Sequence, residues 1–522
     1  MNANYLHQLI KSLSAPEKGY IKKHAMLHVI GGQNKYIKIF DAIDKQKVYD
    51  EKELIRKLKG PGSQNNFAVA KNYLFKFILK TLEAYNTNVK SELRSMLNQI
   101  EILYNKNLPQ IAKKMIGKAK AMAQEHELYE LMEEITDWEI IFLVEDGTPE
   151  NYLAQVDKYY EELYDSIEKK KAIIGYKYLH QKLRAKMLNT GLVRDDKEMM
   201  EFQDIMNEDK SSDQNLANTF NAQFYRNLMQ SNYFFMINDQ LNAHKILKKN
   251  MMLLDQNHHM VELRPFICLA LLRNKGINEL ALMLYPDLFE TLKKMDQFIE
   301  KYGYLNRNYE LLSETLKLFV YVNIGYFDRA LEVAKNIEAI YTQLPVTRTS
   351  IKERQLHHYA LSYIYLGLKE YRLASQNINL LLHSIELDYR SDVYYFAHIM
   401  SMIIYYEMND TDMLEKRIRS TYRLLLRRKK LYNFEKLVIT FFRESQERVK
   451  SPDQLVEKFV LLRDNIRELT TTSNIEKNAL GLFDLISWLE SKIENKNFME
   501  IVQRKFHERM LAETAKTASE QN

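Results

Sequence analysis

The stretch Leu361-Ser362-Tyr363-Ile364-Tyr365-Leu366-Gly367-Leu368-Lys369-Glu370-Tyr371-Arg372-Leu373-Ala374, continued by Ile378 and Leu381, reads as two helices joined by a short turn. The small residues Ser362 and Ala374 let the helices approach closely, and the large side chains fill the groove between successive pairs. The turn and the alanine recur in Gly325-Tyr326-Phe327-Asp328-Arg329-Ala330, and Leu103, Ala112, Ile116 and Ala119 repeat the packing positions.

Working outward, a turn-forming cluster hands over to a helix start about every 43 residues along the chain, a period typical of stacked helix pairs. Ala112, Ala154, Met199, Ala243, Leu288, Ala330, Ala374, Leu414, Leu455 and Phe498 mark the second helix of each pair. Pro109, Pro149, Pro286 and Pro452 precede four of these markers, where the first turn of a helix tolerates a missing amide. Elsewhere Asn238-Asp239, Gly325 to Asp328, or Asn409 to Asp412 fill the same slot as turn and cap.

The unit from Leu361 to Leu381 resembles the tetratricopeptide repeat. Leu361, Ser362 and Tyr365 stand at first-helix positions, Tyr371 in the turn, and Ala374, Ile378 and Leu381 on the second helix. The family repeat is about 34 residues, so the helices or turns here must be longer, and HEAT-like or divergent helical hairpins share this longer period. Met199, Leu288 and Phe498 also stand where the family places alanine. The resemblance implies an all-α fold, a right-handed superhelix of antiparallel helical hairpins. It also implies a concave wall that binds peptides or proteins, with Tyr359 and Tyr363 facing that wall.

Composition agrees with a long helical array. The chain has 522 residues, 46% hydrophobic, with only 14 Gly and 8 Pro. The lone cysteine, Cys268, lies in an apolar run and reads as a small buried hydrophobe. No disulfide framework can be built from it, and the first residues carry no basic leader followed by an apolar core. No run approaches the ~18 apolar residues of a membrane span. A reducing, cytoplasmic setting and no membrane partner are the expectations, and the richness in Lys, Asn, Ile and Tyr resembles proteins of AT-rich bacteria.

The expected division is a basic helical module at 1–87, the repeat array at 88–510 and a loose polar tail at 511–522. The module holds 15 Lys/Arg against 7 Asp/Glu, a surplus of eight in a chain whose net charge is +6. Ser14, Pro16 and Glu17 signal a helix start with a capping box, and Gly31 and Gly32 a stop. Helices are predicted near 35–44, 50–58 and 66–85, the last with Phe67, Ala70, Leu74, Phe77, Ile78, Leu82 and Tyr85 on its inner face. The last two form a candidate helix-turn-helix. Against that reading, Gly60-Pro61-Gly62-Ser63 makes a long turn, and Lys71, Lys76 and Lys80 do not share a face.

No phosphate loop, dinucleotide fingerprint, HExxH helix or nucleophile elbow is present, so no cofactor and no enzyme activity are expected. His258 and His259 with Glu262, and His357 and His358 with Glu353, each place a histidine and a carboxylate four apart. Two ligands do not make a metal site. Arg417 to Lys430 is the densest basic run, with Arg419, Arg423 and Arg427 on one face to meet an acidic partner and Leu414, Ile418, Tyr422 and Leu425 opposite. The leading expectation is a noncatalytic adaptor binding a protein or peptide. The alternative is a repeat-containing transcriptional regulator whose basic N-terminal module contacts nucleic acid.

Overall fold

A computed structural model describes residues 3–27, 35–57, 63–146, 149–208, 218–302, 308–343, 348–383, 390–445 and 452–520. The described residues are helical throughout apart from their turns, and no strand occurs among them. The chain therefore has the expected all-α, helical-hairpin fold.

One local geometry repeats at the turns. Asn107, Asn238, Met283, Gly325, Lys369 and Asn409 adopt left-handed backbone, with φ between 54° and 79°. Each stands five residues before Ala112, Ala243, Leu288, Ala330, Ala374 or Leu414. The amide after each left-handed residue donates back across the turn, as from Leu108 to Leu103, Asp239 to Phe234, Glu370 to Tyr365 and Asp410 to Tyr405, at 2.8–3.1 Å. This closes the first helix by satisfying a terminal carbonyl and reverses the chain in one step. The marker is then the fourth residue of the next helix and is buried against the first. Asp239 and Asp410 complete the turn by accepting from the Asn242 and Met413 amides at 3.1 and 3.0 Å.

Contacts divide the chain into Met1–Val156 and Asp157–Asn522, within the long helix Pro149–Thr190. The basic segment expected at 1–87 is the first part of the first unit. Its helices Ala3–Ser12, Ala15–Leu27, Lys35–Lys45, Glu51–Lys57 and Ser63–Tyr85 share a core of Leu6, Ile10, Phe40, Ile43, Leu74 and Ile78. Ser14 and Glu17 form the predicted capping box, with Glu17 accepting from the Ser14 amide at 2.8 Å. Gly31, Gly32 and the turn Gly60 to Gly62 lie outside the described residues. The pair Val89–Asn105 and Pro109–Glu125, followed by Met132–Asp146, completes this unit.

In the second unit, hairpins follow one another: Phe220–Met236 with Gln240–Gln256, Pro265–Leu282 with Tyr285–Tyr302, Asn308–Asn323 with Phe327–Gln343, Arg348–Gly367 with Tyr371–Leu382, and Ser391–Glu407 with Thr411–Arg427. Gly367 is required by its neighbour, since a Cβ there would lie 2.4 Å from the Phe327 ring. Asn433–Ser445 packs on Pro452–Thr472, and Leu485–Ile493 on Phe498–Glu520. The last helix extends to Glu520, into the stretch expected to be a loose tail, where Ala, Glu and Lys favour continued helix.

The second unit also holds itself together over long sequence distances. The Arg390 amide donates to the Leu188 carbonyl at 2.8 Å, the Leu192 amide to Asp392 at 3.2 Å, and the Asn478 side chain to the Val193 carbonyl at 2.7 Å. Buried Arg194 meets Glu435 at 3.0 Å and Glu476 at 3.4 Å and lies over the Tyr432 ring.

Two glycines give opposite expectations. Gly191 has φ +73° and sits where a Cβ would fall 1.9 Å from the Asp392 carboxylate, whereas Gly117 lies in a helix with nothing within 4 Å. Gly191→Ala is expected to lower unfolding free energy by roughly 2 kcal/mol or more through left-handed strain and the clash. Gly117→Ala is expected to raise it by up to about 1 kcal/mol. Urea unfolding of both variants checks the pair.

Candidate functional site

The two tyrosines expected to line an open groove are covered by the chain's own C-terminal segment. Tyr359 and Tyr363 are 9% and 6% exposed. The Tyr359 hydroxyl donates to the Leu482 carbonyl at 3.0 Å, and the Asp484 amide donates to the Tyr363 hydroxyl at 3.1 Å. Burial, the largest cause, pushes both phenols well above their ordinary range, so they stay neutral hydrogen-bonding groups.

The segment continues along successive hairpins. Trp488 stands edge-on to Tyr406, with ring centres 6.0 Å apart, and Phe483 lies 4.7 Å from Tyr363. Phe498 packs on Phe327, Gln503 donates to the Gly325 carbonyl at 2.9 Å, and Phe506 meets Tyr285 edge-on. Phe483, Leu485, Trp488 and Leu489 are at most 1% exposed. A face this apolar is stabilised by excluding water, and here its occupant is covalently part of the chain.

The arginines are arranged differently. A cleft of about 330 Å³ lies between helices Thr411–Arg427 and Asn433–Ser445, lined by Glu415, Ile418, Arg419, Tyr422, Arg423 and Arg443. Arg419 pairs with Glu415 one turn earlier. Arg443 lies over the Tyr422 ring at 5.7 Å, and Arg423 and Arg443 have exposed side chains. Three guanidinium groups against one carboxylate leave a positive cleft with an aromatic wall.

The structure thus joins Arg419 and Arg423, as their spacing of four predicted, and adds Arg443, which the sequence reading did not single out. Arg427 lies one turn beyond the lining and is exposed. Leu414, Ile418 and Leu425 are buried as expected, while Tyr422 is 37% exposed because it borders the cleft. Arg443 carries no distinct sequence signal, since the helix Asn433–Ser445 also holds Glu435, Lys436 and Glu444.

A second cavity, about 390 Å³, is bordered by Lys369, Tyr371, Glu407, Trp488, Lys492 and Lys496. One of its two bordering carboxylates, Glu407, is already engaged. Glu407 accepts from the Trp488 indole at 2.6 Å and from Lys492 at 2.7 Å.

In the N-terminal segment many cations are paired. Lys18 meets Asp44 at 2.7 Å, Lys22 meets Asp41 at 2.6 Å, and Lys71 is buried against Glu51 at 2.8 Å. The outer face of Ser63–Tyr85 mixes exposed Val69, Tyr73 and Leu79 with Asn72, Lys76 and Lys80.

The histidine pairs take separate places. Glu262 pairs with Lys301 at 3.7 Å, and His358 faces the Asn377 side chain. Among the described residues, no group of three or more His, Cys, Asp or Glu is placed to hold a metal ion. Cys268 is buried, and its thiol is pushed up to about 12 by burial. No helix of the described residues is long and apolar enough to cross a membrane.

These features define an all-α helical-repeat protein with one face filled by its own C-terminal helices and a basic cleft left open. No family model matches the chain, and no curated protein matches it. Among solved structures, the chain is similar to the crystal structure of NprR in complex with its cognate peptide NprX. The TM-score is 0.41 at 13% identity, over 72% of this chain and 98% of that one.

Three buried histidines make stability depend on pH. Burial, the main cause, holds the imidazoles of His180, His357 and His398 at about 4, with Arg184, His358 and Arg417 respectively adding to the effect. Each folded value lies below the ordinary value of 6.5, so on acidification the unfolded chain takes up protons first. The stability they contribute is complete above about pH 6.5 and is lost as pH falls toward 4, by a few kcal/mol in total. Both ring nitrogens of His398 are buried without a hydrogen-bond partner. His398→Leu is therefore expected to flatten the decline, measured as melting temperature from pH 7.5 to pH 4.5.

Proposed function

We propose that the chain is a noncatalytic, tetratricopeptide-like scaffold that recognises an acidic peptide segment of a partner protein at the cleft of Arg419, Arg423 and Arg443. The observation that carries this reading is the contrast between the two surfaces. The face with Tyr359 and Tyr363 is filled by Leu482 to Phe506, while the arginine cleft is open and carries an excess of positive charge.

The chemistry is that of an acceptor site. Guanidinium groups present rigid forks of N–H donors that match carboxylates two bonds at a time. The Tyr422 ring gives a peptide an aromatic surface next to the charges, and tyrosine and arginine are the residues that anchor interfaces most often. Ile418 at the floor of the cleft supplies an apolar contact for the stem of an Asp or Glu side chain. Affinity gained this way is electrostatic in part, so association is fastest at low salt.

A fluorescein-labelled peptide rich in Asp and Glu, followed by fluorescence polarisation, tests the reading. The intact chain is expected to bind it with an affinity that falls as salt is added, and to ignore a Lys-rich peptide of equal length. Replacing Arg423 and Arg443 by Ser should weaken binding at least about tenfold, the effect of losing one charged hydrogen bond. Equal binding by that variant, or no binding of acidic peptides by the native chain, contradicts the proposal.

A further inference from the structure

The helix Pro149–Thr190 is 42 residues long, and within the second unit it has two apolar faces. One is buried, through Leu163, Ile173, Tyr176 and Leu183, each at most 8% exposed. The other faces outward. Tyr160, Ile167, Ile174 and Leu188 fall on a seven-residue spacing, interrupted only at Gln181, and Tyr164 and Tyr178 fall between them at steps of four and three.

Exposure of these outward residues runs from 36% at Leu188 to 63% at Tyr164. Single exposed apolar side chains are ordinary, but a stripe spanning about 42 Å at 1.5 Å per residue, broken at Lys171 and Gln181, is not. Alternating steps of three and four on a strict seven-residue repeat are the pattern by which one helix packs along another, each side chain entering a hole of the facing helix.

Charge identifies the facing helix. Residues 157–168 carry five carboxylates (Asp157, Glu161, Glu162, Asp165, Glu168) and one cation, Lys158. Residues 169–186 carry seven cations and no carboxylate. Lys182 and Lys186 pair with Glu208 and Glu201 within the unit and Lys177 lies over the Tyr225 ring, so the basic half is defined by the formal charge of residues 169–186 and not by unpaired side chains.

Lys169 and Lys171 reach back along the same helix to Asp165 and Glu168, at 2.5 and 3.2 Å. Exposed pairs of this kind are weak and exchange readily for partners across an interface. A second copy of the same helix, running the opposite way, presents its basic half to the acidic half of the first and its acidic half to the basic half. A parallel copy would set like charges side by side. The two-fold axis of an antiparallel pair would then pass near the charge boundary between Glu168 and Lys169.

We propose that the Tyr160 to Leu188 face is a homodimer interface, in which this helix pairs antiparallel with the same helix of a second copy. The pairing uses one self-complementary surface, as closed two-fold dimers do. Tyr164, Ile167, Ile174 and Tyr178 form its centre. Lys171, within the stripe, fixes register at the expense of some affinity, as a polar residue in such a seam does. This interface is independent of the arginine cleft, so either proposal can fail alone.

Sedimentation equilibrium of the intact chain tests it, between low and high salt, where screening shortens from about 30 Å to about 3 Å. The expected mass at low salt is twice the 62.2 kDa of one chain, shifting toward single chains as salt is added. Ile167→Lys with Ile174→Lys should give single chains with unchanged circular dichroism, because both side chains are exposed in one chain. Orientation is read from two charge reversals: Lys169, Lys170 and Lys171 all to Glu, or Glu161, Glu162 and Asp165 all to Lys. Each is expected to dissociate alone, and the two mixed should re-form a species of twice the mass. A single-chain mass for the native protein at high micromolar concentration, a doubly substituted Lys variant that stays paired, or a mixture that does not recombine overturns the proposal.

Discussion

The array rests on a backbone constraint, a single left-handed residue placed five positions before the residue that seats the next helix. At Asn107, Asn238, Met283, Gly325, Lys369 and Asn409 the chain reverses in one residue and ties off the preceding helix with a back-donated amide. Only glycine takes this conformation freely, and asparagine takes it at modest cost. Met283 and Lys369 adopt it because the hydrophobic contact beyond it, Leu288 or Ala374 buried on the first helix, outweighs about 1 kcal/mol of strain. Repeating this turn sets a fixed distance between hairpins.

A stack of hairpins leaves an apolar face, and within Asp157–Asn522 the chain covers one such face with its own C-terminal segment. Phe483, Trp488, Phe498 and Phe506 fill the face that Tyr359 and Tyr363 present, and Arg194 with Glu435 and Glu476 ties residues near the start of the unit to others near its end. A buried arginine shared by two carboxylates contributes little net stability against an apolar replacement, but removing one partner strands charge away from water. Burial, the largest cause, raises the Glu435 carboxyl above its ordinary range, and the Arg194 guanidinium opposes that shift. The arginine cleft and the outward stripe are the surfaces left open to solvent.

The fold was legible in the sequence because its signals are local. The Ala330 and Ala374 positions, the Asp239 and Asp410 caps, and the Ser14 capping box each need only a few neighbouring residues. The basic run was legible for the same reason, as Arg419 and Arg423 share a face by spacing alone. Arg443 was not, because it reaches the cleft from the next helix and no local pattern links them. The covering of Tyr359 and Tyr363 was equally hidden, since Leu482 and Asp484 lie more than a hundred residues away. Two apolar faces on one helix also defeat a single-face reading, which is why the Tyr160 to Leu188 stripe carried no signal until burial separated its sides.

The C-terminal helices are seated in the array, and tryptophan fluorescence reads that seating directly. The chain has two tryptophans, Trp138 and Trp488, and Trp488 is 1% exposed with its indole donating to Glu407 at 2.6 Å. Fluorescence of a Trp138→Phe variant therefore reports on Trp488 alone. Blue-shifted emission that acrylamide barely quenches is the result this account requires. Red-shifted emission quenched as readily as free tryptophan would contradict it and reopen the face of Tyr359 and Tyr363 to an outside ligand.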